Sequence, residues 1–438
     1  MTITTNPDAA LRHVIGKLGY GAINLNSVIG AGIFGLPAVL AARAGYFSPW
    51  AFVLGGVMIL TIVLSFARAA SMFKSSGGAI VYASHAFGPF IGFQTGWLAY
   101  LGRVAAMGAN TNLLVTYASW FWAPLEGDPY RAIALTLVIS SLTWLNVVGV
   151  RGGVGATLVF AVLKLVPLSL LILFGLGRVD AASLFGNVVP EMNGLGETLL
   201  VLMYAYVGFE GTVVNAGEGR NPRRDLPLAL VSTIVIIGML YFLVQMVSVY
   251  ALPDLASSSF ALADVASALF GNAGAVVLIL GAVFSIAGNL SASLLSAPRM
   301  TFALARDGSL PAWFARVHGR HRTPHVSIWV YGFLCLAMAV SGSFIWLAAM
   351  STVVRLLSYM VCIAALPILD RKIEAHADSF DLPGGLLIPA VGFGLCIWLI
   401  SKASSDAWLT LLAFFLVGTV LYALSTRGKP RPRPVLVD

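Results

Sequence analysis

The hydrophobic residues of this chain fall into about twelve runs of roughly 20 residues each, with polar stretches between them. A helix of that length crosses the ~30 Å hydrocarbon core of a lipid bilayer. The pattern therefore predicts twelve or so membrane-spanning helices, which we call spans 1 to 12 in chain order. We place them at residues 19–41, 49–72, 90–121, 131–149, 155–177, 193–216, 228–251, 273–298, 325–341, 343–368, 384–401 and 406–425.

The composition also indicates a membrane protein and excludes an ordinary soluble domain. Of the 438 residues, 59% are hydrophobic and 10% are charged, whereas soluble domains carry about 25% charged residues. The longest loops, at 252–272 and 299–324, are too short to fold by themselves. We therefore expect residues 1–438 to form one all-α, polytopic membrane domain.

The distribution of basic residues predicts how the chain is oriented. An even number of spans puts both termini on one side, and the loops of that side hold most of the 26 lysines and arginines. The opposite side holds only Arg43, Arg131, Arg178 and Lys402. Because lysine and arginine are enriched in cytoplasmic loops, both termini are predicted to lie in the cytoplasm, in a multi-pass protein of the cytoplasmic (inner) membrane.

The remaining chemistry-bearing residues exclude several function classes. The net charge of +8 is spread over short loops instead of forming a basic patch with aromatics, so no nucleic-acid partner is expected. No enzyme constellation, metal site or cofactor is predicted either. The cysteines lie within spans and the histidines near loops, without metal-ligand spacing: Cys335, Cys362, Cys396, His13, His85, His318, His321, His325 and His376.

Spans 1 and 6 are both interrupted near their middle by glycine. Span 1 carries the sequence GAGIFGLP at 30–37, and span 6 carries GFEG at 208–211. Glycine weakens a helix by about 1 kcal/mol relative to alanine, and unwound backbone at membrane depth is tolerated only where protein or water satisfies it. The paired interruptions predict a binding site, although a single glycine of this kind more often serves close helix packing.

Interrupted spans at matching positions in two halves are typical of inverted-repeat transporters. The two interruptions are five spans apart. We therefore predict one repeat at about 19–177, a second at about 193–368, and two additional helices at about 384–425.

Several separated motifs resemble one known family. They are IGAGIF at 29–34, SSGG at 75–78 leading into AFGPFIGFQTGW at 86–97, KLVPL from Lys164, GEGRNPRRDLP ending at Pro227, ARDG at 305–308, and RLLSYMVCIAALPIL from Arg355. In this order they resemble the amino acid/polyamine/organocation (APC) superfamily of transporters, and the last motif resembles the tenth helix of bacterial amino acid permeases. The resemblance implies the five-plus-five inverted-repeat fold with helices 1 and 6 broken, and alternating access coupled to protons or to exchange.

A substrate amino acid presents a carboxylate and an ammonium group, which need donors and acceptors respectively. The amides of Gly30, Ala31 and Gly32 begin the second half of span 1, where the positive end of the helix dipole favours a carboxylate. These three residues are the predicted carboxylate site.

The resemblance places free carbonyl groups for the ammonium at Val28, Tyr204 and Val207, with Gly208 at the break of span 6. It also places Tyr204 where an aromatic ring covers the bound substrate from one side. A packing or interfacial tyrosine is the alternative interpretation of this residue.

Selectivity for the substrate side chain is expected from spans 3, 8 and 10. Arg103, Met107, Asn110 and Thr111 recur at helical spacing, so they share one face of span 3. On span 8 the candidates are Asn289 and Ser293.

Four ionisable residues lie deep in predicted spans: Arg103, Lys164, Glu210 and Arg355. A charge facing lipid costs at least ~2.5 kcal/mol, so all four should face the protein interior. Lys164 matches a family position at which an ammonium group replaces bound sodium, whereas a purely structural lysine would give the same sequence. Glu210 is the candidate proton-coupling group, and its alternative role is to tie span 6 to a basic partner such as Arg103.

We therefore predict a sodium-independent secondary transporter of amino acids, monomeric or weakly dimeric, with protons as a candidate coupling ion. Two arginines near the site disfavour a cationic substrate, so neutral amino acids are the first expectation and acidic ones the variant. The alternatives are a polyamine or organic amine porter, an obligate amino acid antiporter, and a non-transporting amino acid sensor.

Overall fold

The computed structural model describes residues 15–73, 77–149, 154–180, 194–214, 216–373 and 379–427. In these ranges the regular structure is helical, and one isolated bridge pairs Ile15 with Gly219. The helices of the twelve spans are, in order, Lys17–Val28 with Gly32–Gly35 and Pro37–Ala44, Ser48–Met72, Pro89–Ser119, Tyr130–Val148, Val154–Gly175, Leu195–Leu202 with Glu210–Val214, Pro222–Ala251, Asn272–Arg306, His325–Ser341, Phe344–Lys372, Leu387–Ile400 and Ser405–Thr426.

Six segments of the described chain are long and apolar enough to cross a membrane. They are Pro37–Met72, Tyr130–Val148, Pro222–Ala251, Asn272–Arg306, Phe344–Lys372 and Ser405–Thr426. Shorter apolar helices occur as well, including His325–Ser341 and Leu387–Ile400. The all-α polytopic architecture predicted from the hydrophobic runs is therefore confirmed.

The helices extend beyond the hydrophobic runs at several ends. Span 7 begins at Pro222, six residues before the predicted start, and span 8 continues to Arg306 instead of ending at residue 298. Two further helices, Ala79–Phe87 and Ala261–Phe270, lie in segments that the hydrophobic pattern leaves between spans. Hydropathy detects the part of a helix that lies in lipid, so polar extensions and short helices outside it escape detection.

The predicted break in span 1 is present. Its first helix ends at Val28, residues 29–31 leave the helical path, and a short helix begins at Gly32. The need for glycine is steric, because a Cβ placed on Gly32 would lie 2.6 Å from the Cα of Ala205 in span 6. The two spans therefore approach each other backbone to backbone.

Span 6 is interrupted as well. The helix Leu195–Leu202 passes into a 3-10 turn, and helical structure resumes at Glu210. Gly208 adopts a φ of +121°, a conformation that disfavours other residues, and a Cβ on it would lie 2.5 Å from the carbonyl oxygen of Ser27. The breaks of spans 1 and 6 are thus in direct contact, which brings the two predicted halves of the site together.

Candidate substrate site

A cavity of about 300 Å³ lies beside the two breaks. Its walls come from spans 1, 3, 6, 8 and 10, which include the three spans expected to determine side-chain selectivity. The predicted residues that line it are Arg103, Gly208, Glu210, Asn289, Ser293 and Arg355.

The cavity is more exposed at one end than at the other. Two exposed residues line it, namely Val214 at the end of the second helix of span 6 and Ser296 in the last third of span 8. Beyond the breaks, Tyr204 is 5% exposed and packs edge to face on Phe344, with ring centroids 5.9 Å apart. The cavity is therefore open towards the C-terminal parts of these two helices and closed by aromatic packing on the other side.

Nine of the predicted substrate residues lie outside the cavity lining. These are Val28, Gly30, Ala31, Gly32, Met107, Asn110, Thr111, Tyr204 and Val207, all of them buried. For the residues of spans 1 and 6, the physical reason is the contact between the breaks, because Gly32 packs on Ala205 and leaves no space between the two main chains. Their proposed contacts with substrate require the breaks to separate.

The carbonyl groups at the breaks are also less free than the sequence suggested. The Tyr241 hydroxyl donates to the carbonyl oxygen of Ala205 at 3.1 Å and lies 3.5 Å from that of Val28. Tyr241, on span 7, therefore contacts the breaks of both span 1 and span 6. Nothing in the local sequence marks it, because its role depends on the packing of span 7 against spans 1 and 6.

Lys164 links span 5 to span 1. Its Nζ donates to the carbonyl oxygens of Asn26 at 3.1 Å and Ile29 at 2.7 Å, and the residue is 1% exposed. The ammonium group thus binds carbonyl groups at the end of a broken helix, where the helical hydrogen-bond pattern stops. The same carbonyl groups would also suit a small cation.

A chain of hydrogen bonds joins four spans at the closed end of the cavity. The Tyr204 hydroxyl donates to Asn110 Oδ1 at 2.5 Å, and Asn110 Nδ2 donates to Asn289 Oδ1 at 2.9 Å. Asn289 Nδ2 in turn lies 3.4 Å from the Ser27 carbonyl oxygen. Tyr204 is therefore a member of a polar network as well as a packing residue.

This network gives a test of the closed end. Asn110→Ala removes the central member and leaves the Tyr204 hydroxyl without its short partner, and an unsatisfied buried polar group costs about 1–3 kcal/mol. We expect a lower unfolding temperature in detergent and reduced uptake in proteoliposomes. Tyr204→Phe removes the same bond from the other side and is the matched comparison. An unfolding temperature equal to that of the unsubstituted protein in both variants would contradict a stabilising network.

Glu210 has three partners in the break of span 6. Its Oε1 lies 3.2 Å from Arg355 Nε, while its Oε2 accepts hydrogen bonds from the Tyr359 hydroxyl and from the amide of Gly208, both at 2.9 Å. The sequence suggests a basic partner such as Arg103 for a structural role of Glu210, and the ion-pair partner in the structure is Arg355. Tyr359 is not among the residues predicted for the site, although its position four residues after Arg355 places both on one helix face.

Arg103 lies on the cavity wall without such an ion pair among the described residues. Its Nη1 donates to the Ser296 hydroxyl at 3.1 Å, and its Nη2 would lie 3.2 Å from a Cβ on Gly211. The Ser293 hydroxyl lies 2.9 Å from that of Tyr331, which donates to the Arg103 carbonyl oxygen at 3.2 Å. Ser293 therefore helps to position span 3.

No cluster of three His, Cys, Asp or Glu side chains suited to a metal occurs in the ranges described.

Comparison with known proteins agrees with this architecture. Residues 15–426 match a family described as amino acid permease. The methylthioribose transporter of Bacillus subtilis (strain 168) is 26% identical over 434 residues, which cover 95% of this chain and 94% of the relative. From the same organism, the branched-chain amino acid permease BcaP is 25% identical with 97% and 95% covered, and the serine/threonine exchanger SteT is 25% identical with 86% and 87% covered.

These relatives are transporters and not enzymes, and the match extends over nearly the whole chain. The resemblance seen in the motifs is therefore confirmed, together with the membrane setting and an amino acid as the class of substrate. The chain belongs to the amino acid permease family of the APC superfamily.

Proposed function

We propose that this protein is a sodium-independent secondary active transporter of neutral amino acids in the cytoplasmic membrane, with both termini in the cytoplasm. One observation carries the proposal. Two broken spans touch each other at their breaks, beside an interior cavity whose far end is closed. This is the geometry in which exposed main-chain groups can bind a zwitterion and pass it from one side to the other.

In the proposed binding mode, the amides of Gly30, Ala31 and Gly32 receive the substrate carboxylate. The main-chain hydrogen bonds of that short helix begin with Phe34 and Gly35, both donating to Ala31, so the preceding amides lie outside the helical ladder. Carbonyl groups at Val28, Tyr204 and Val207 would accept from the ammonium. Substrate entry separates Gly32 from Ala205, and Tyr204 acts as the cover on the closed side.

Neutral substrates are favoured by the charges around the cavity. Glu210 is the carboxylate on its wall and is already paired with Arg355 and Tyr359, so none of the described lining residues offers a free carboxylate to a cationic side chain. A polyamine would meet two arginines, and like charges repel strongly in a medium of low dielectric constant. The names of the branched-chain and serine/threonine relatives are in keeping with uncharged substrates.

Exchange is the second candidate mode, favoured by the name of the serine/threonine exchanger among the relatives. A proton symporter should accumulate substrate when a pH gradient is imposed. An obligate exchanger should take up labelled substrate only when the proteoliposomes contain unlabelled substrate. Counterflow in proteoliposomes without a pH gradient distinguishes these modes. A non-transporting sensor would bind ligand and do neither.

We further propose one membrane domain over residues 1–438, with repeats at about 19–177 and 193–368, acting as a monomer or a weak homodimer. The five-span offset between the contacting breaks supports this division. Cysteine labelling near Lys17 and Arg427 in intact cells and in inverted vesicles would test the orientation. Labelling of both positions from outside would contradict cytoplasmic termini.

The position of Lys164 supports the proposal of sodium independence. We expect equal initial rates of amino acid uptake in sodium and in potassium buffers. Lys164→Ala should lower that rate at least ~tenfold, because two buried carbonyl groups lose a charged donor. Lys17→Ala, an exposed lysine at the start of span 1, is the control and should keep the original rate. Strict dependence on sodium would exclude the cation-substitute role.

The substrate class can be tested directly by a binding screen of the twenty amino acids. A ligand that binds the folded state raises its apparent stability in proportion to occupancy. We expect upward shifts of the unfolding temperature with a subset of neutral amino acids and none with lysine, arginine or putrescine. Shifts with amines alone would replace the amino acid proposal by an amine porter.

A further inference from the structure

The charges on the cavity wall do not balance. Three ionic side chains line the cavity, namely one carboxylate, Glu210, and two guanidinium groups, Arg103 and Arg355. Glu210 and Arg355 form an ion pair at 3.2 Å. Among the described residues, the neutral Ser296 hydroxyl is the side-chain hydrogen-bond partner of Arg103. The wall therefore carries one positive charge in excess.

An excess positive charge inside a membrane protein calls for a compensating group. Burial of an unpaired charge is costly, and charged residues within spans are retained where they face partners or a water-filled cavity. Arg103 is half-buried and faces the cavity itself. A negatively charged ligand bound in the cavity would thus compensate the charge of Arg103.

Arg103 lies close to the break of span 6. Gly211 belongs to the first turn of the helix Glu210–Val214, three residues after Gly208 at the break. Arg103 Nη2 lies 3.2 Å from the point where a Cβ on Gly211 would be. The guanidinium group therefore stands beside the first turn of this helix, on the side that glycine leaves open. Arg103, Gly208 and Gly211 line the same cavity, so a ligand that occupies it lies within reach of the guanidinium group.

We propose that acidic amino acids are a second class of substrate, recognised through an ion pair between the side-chain carboxylate and Arg103. The planar guanidinium group can bind a carboxylate through two parallel hydrogen bonds. Arg355 stays paired with Glu210 and does not take part. This inference rests on the proposed function, since it uses the same site for the main-chain groups of the substrate.

Pairs of ligands with the same shape and different charge give the sharpest test. Uptake of a labelled neutral substrate is measured in proteoliposomes with glutamate or glutamine as competitor, and with aspartate or asparagine. The readout is the ratio of the half-inhibitory concentration of the amide to that of the acid. Arg103→Gln should lower this ratio at least ~tenfold, because the acid loses its charged partner and the amide does not.

Two further variants separate charge from general damage. Arg103→Lys keeps the positive charge without the planar fork, and its ratio should fall between those of the unsubstituted protein and Arg103→Gln. Arg43→Gln removes an exposed arginine at the far end of span 1 and should leave the ratio unchanged. Because each ratio compares two ligands on one protein, a general loss of uptake does not affect it.

The outcomes distinguish the two proposals. Inhibition by acids in the unsubstituted protein, with a ratio that falls in Arg103→Gln, supports the inference. Inhibition by glutamine and not by glutamate, or a ratio that Arg103→Gln leaves unaltered, overturns it while the proposed function stands. Failure of every amino acid to inhibit or to bind overturns the proposed function itself. If Arg103→Gln does not fold, glutamate competition in the unsubstituted protein still decides the matter.

Discussion

Gly32→Ala is expected to lower the rate of amino acid uptake strongly. The new Cβ would lie 2.6 Å from the Cα of Ala205 and 3.0 Å from its Cβ, distances at which main chain must move because no flexible side chain can yield. Overpacking of a tight interior usually costs about 1–3 kcal/mol. Here the strain falls on the contact between the two breaks, so we expect initial uptake in proteoliposomes to drop at least ~tenfold and the unfolding temperature to fall.

The matched control for this prediction is Gly21→Ala in the same span. A Cβ on Gly21 would lie 3.7 Å from the Thr233 Cγ2 atom, which is ordinary van der Waals contact. Alanine also favours the helix there, so this variant should transport and unfold like the original protein. Equal behaviour of the two variants would mean that the breaks do not need their close contact.

The second large effect is expected for Glu210→Gln. The ion pair between Glu210 and Arg355 is largely buried, with side-chain exposures of 8% for Arg355 and 11% for Glu210. Removing one member of a buried ion pair costs about 3–5 kcal/mol, because the other charge stays behind without compensation. Glutamine can still accept from Tyr359 and the Gly208 amide, so the variant isolates the charge. We expect a lower unfolding temperature and loss of uptake driven by a pH gradient.

Two comparisons make this result interpretable. The double variant Glu210→Gln with Arg355→Gln should recover part of the lost stability, since no unpaired charge of the pair remains. Glu197→Gln removes an exposed carboxylate at the start of the same span and should change neither property. If Glu210→Gln keeps uptake that responds to a pH gradient, Glu210 is not the proton-coupling group and its role is structural.

The hydrophobic pattern predicted the spans well because lipid imposes a length and an apolar composition on every crossing helix. Span 9 matches its prediction at both ends, and span 2 begins one residue earlier than expected. The breaks were predictable too, because glycine clusters weaken a helix and two of them occur at mid-membrane in matching spans. These features depend on local sequence and on the solvent, and not on which helices are neighbours.

Contacts between distant residues were not predictable. Arg68 on span 2 pairs with Asp370 and Asp381 at 3.0 Å each, although some 300 residues separate the partners. The choice of Arg355 over Arg103 as the partner of Glu210 is of the same kind. Periodicity places a side chain on a helix face, but only the packing of the helices decides what that face meets.

The sequence by itself determined that the chain is a polytopic helical membrane protein, which helices are broken, and which ionisable groups face inward. Each of these follows from the high free energy of placing polar or charged groups in lipid. Tertiary packing alone decided that the two breaks touch, that one end of the cavity is closed by Tyr204, and that Arg103 is left without an ion-pair partner among the described residues. Those outcomes depend on distances between spans, which no property of a single helix specifies.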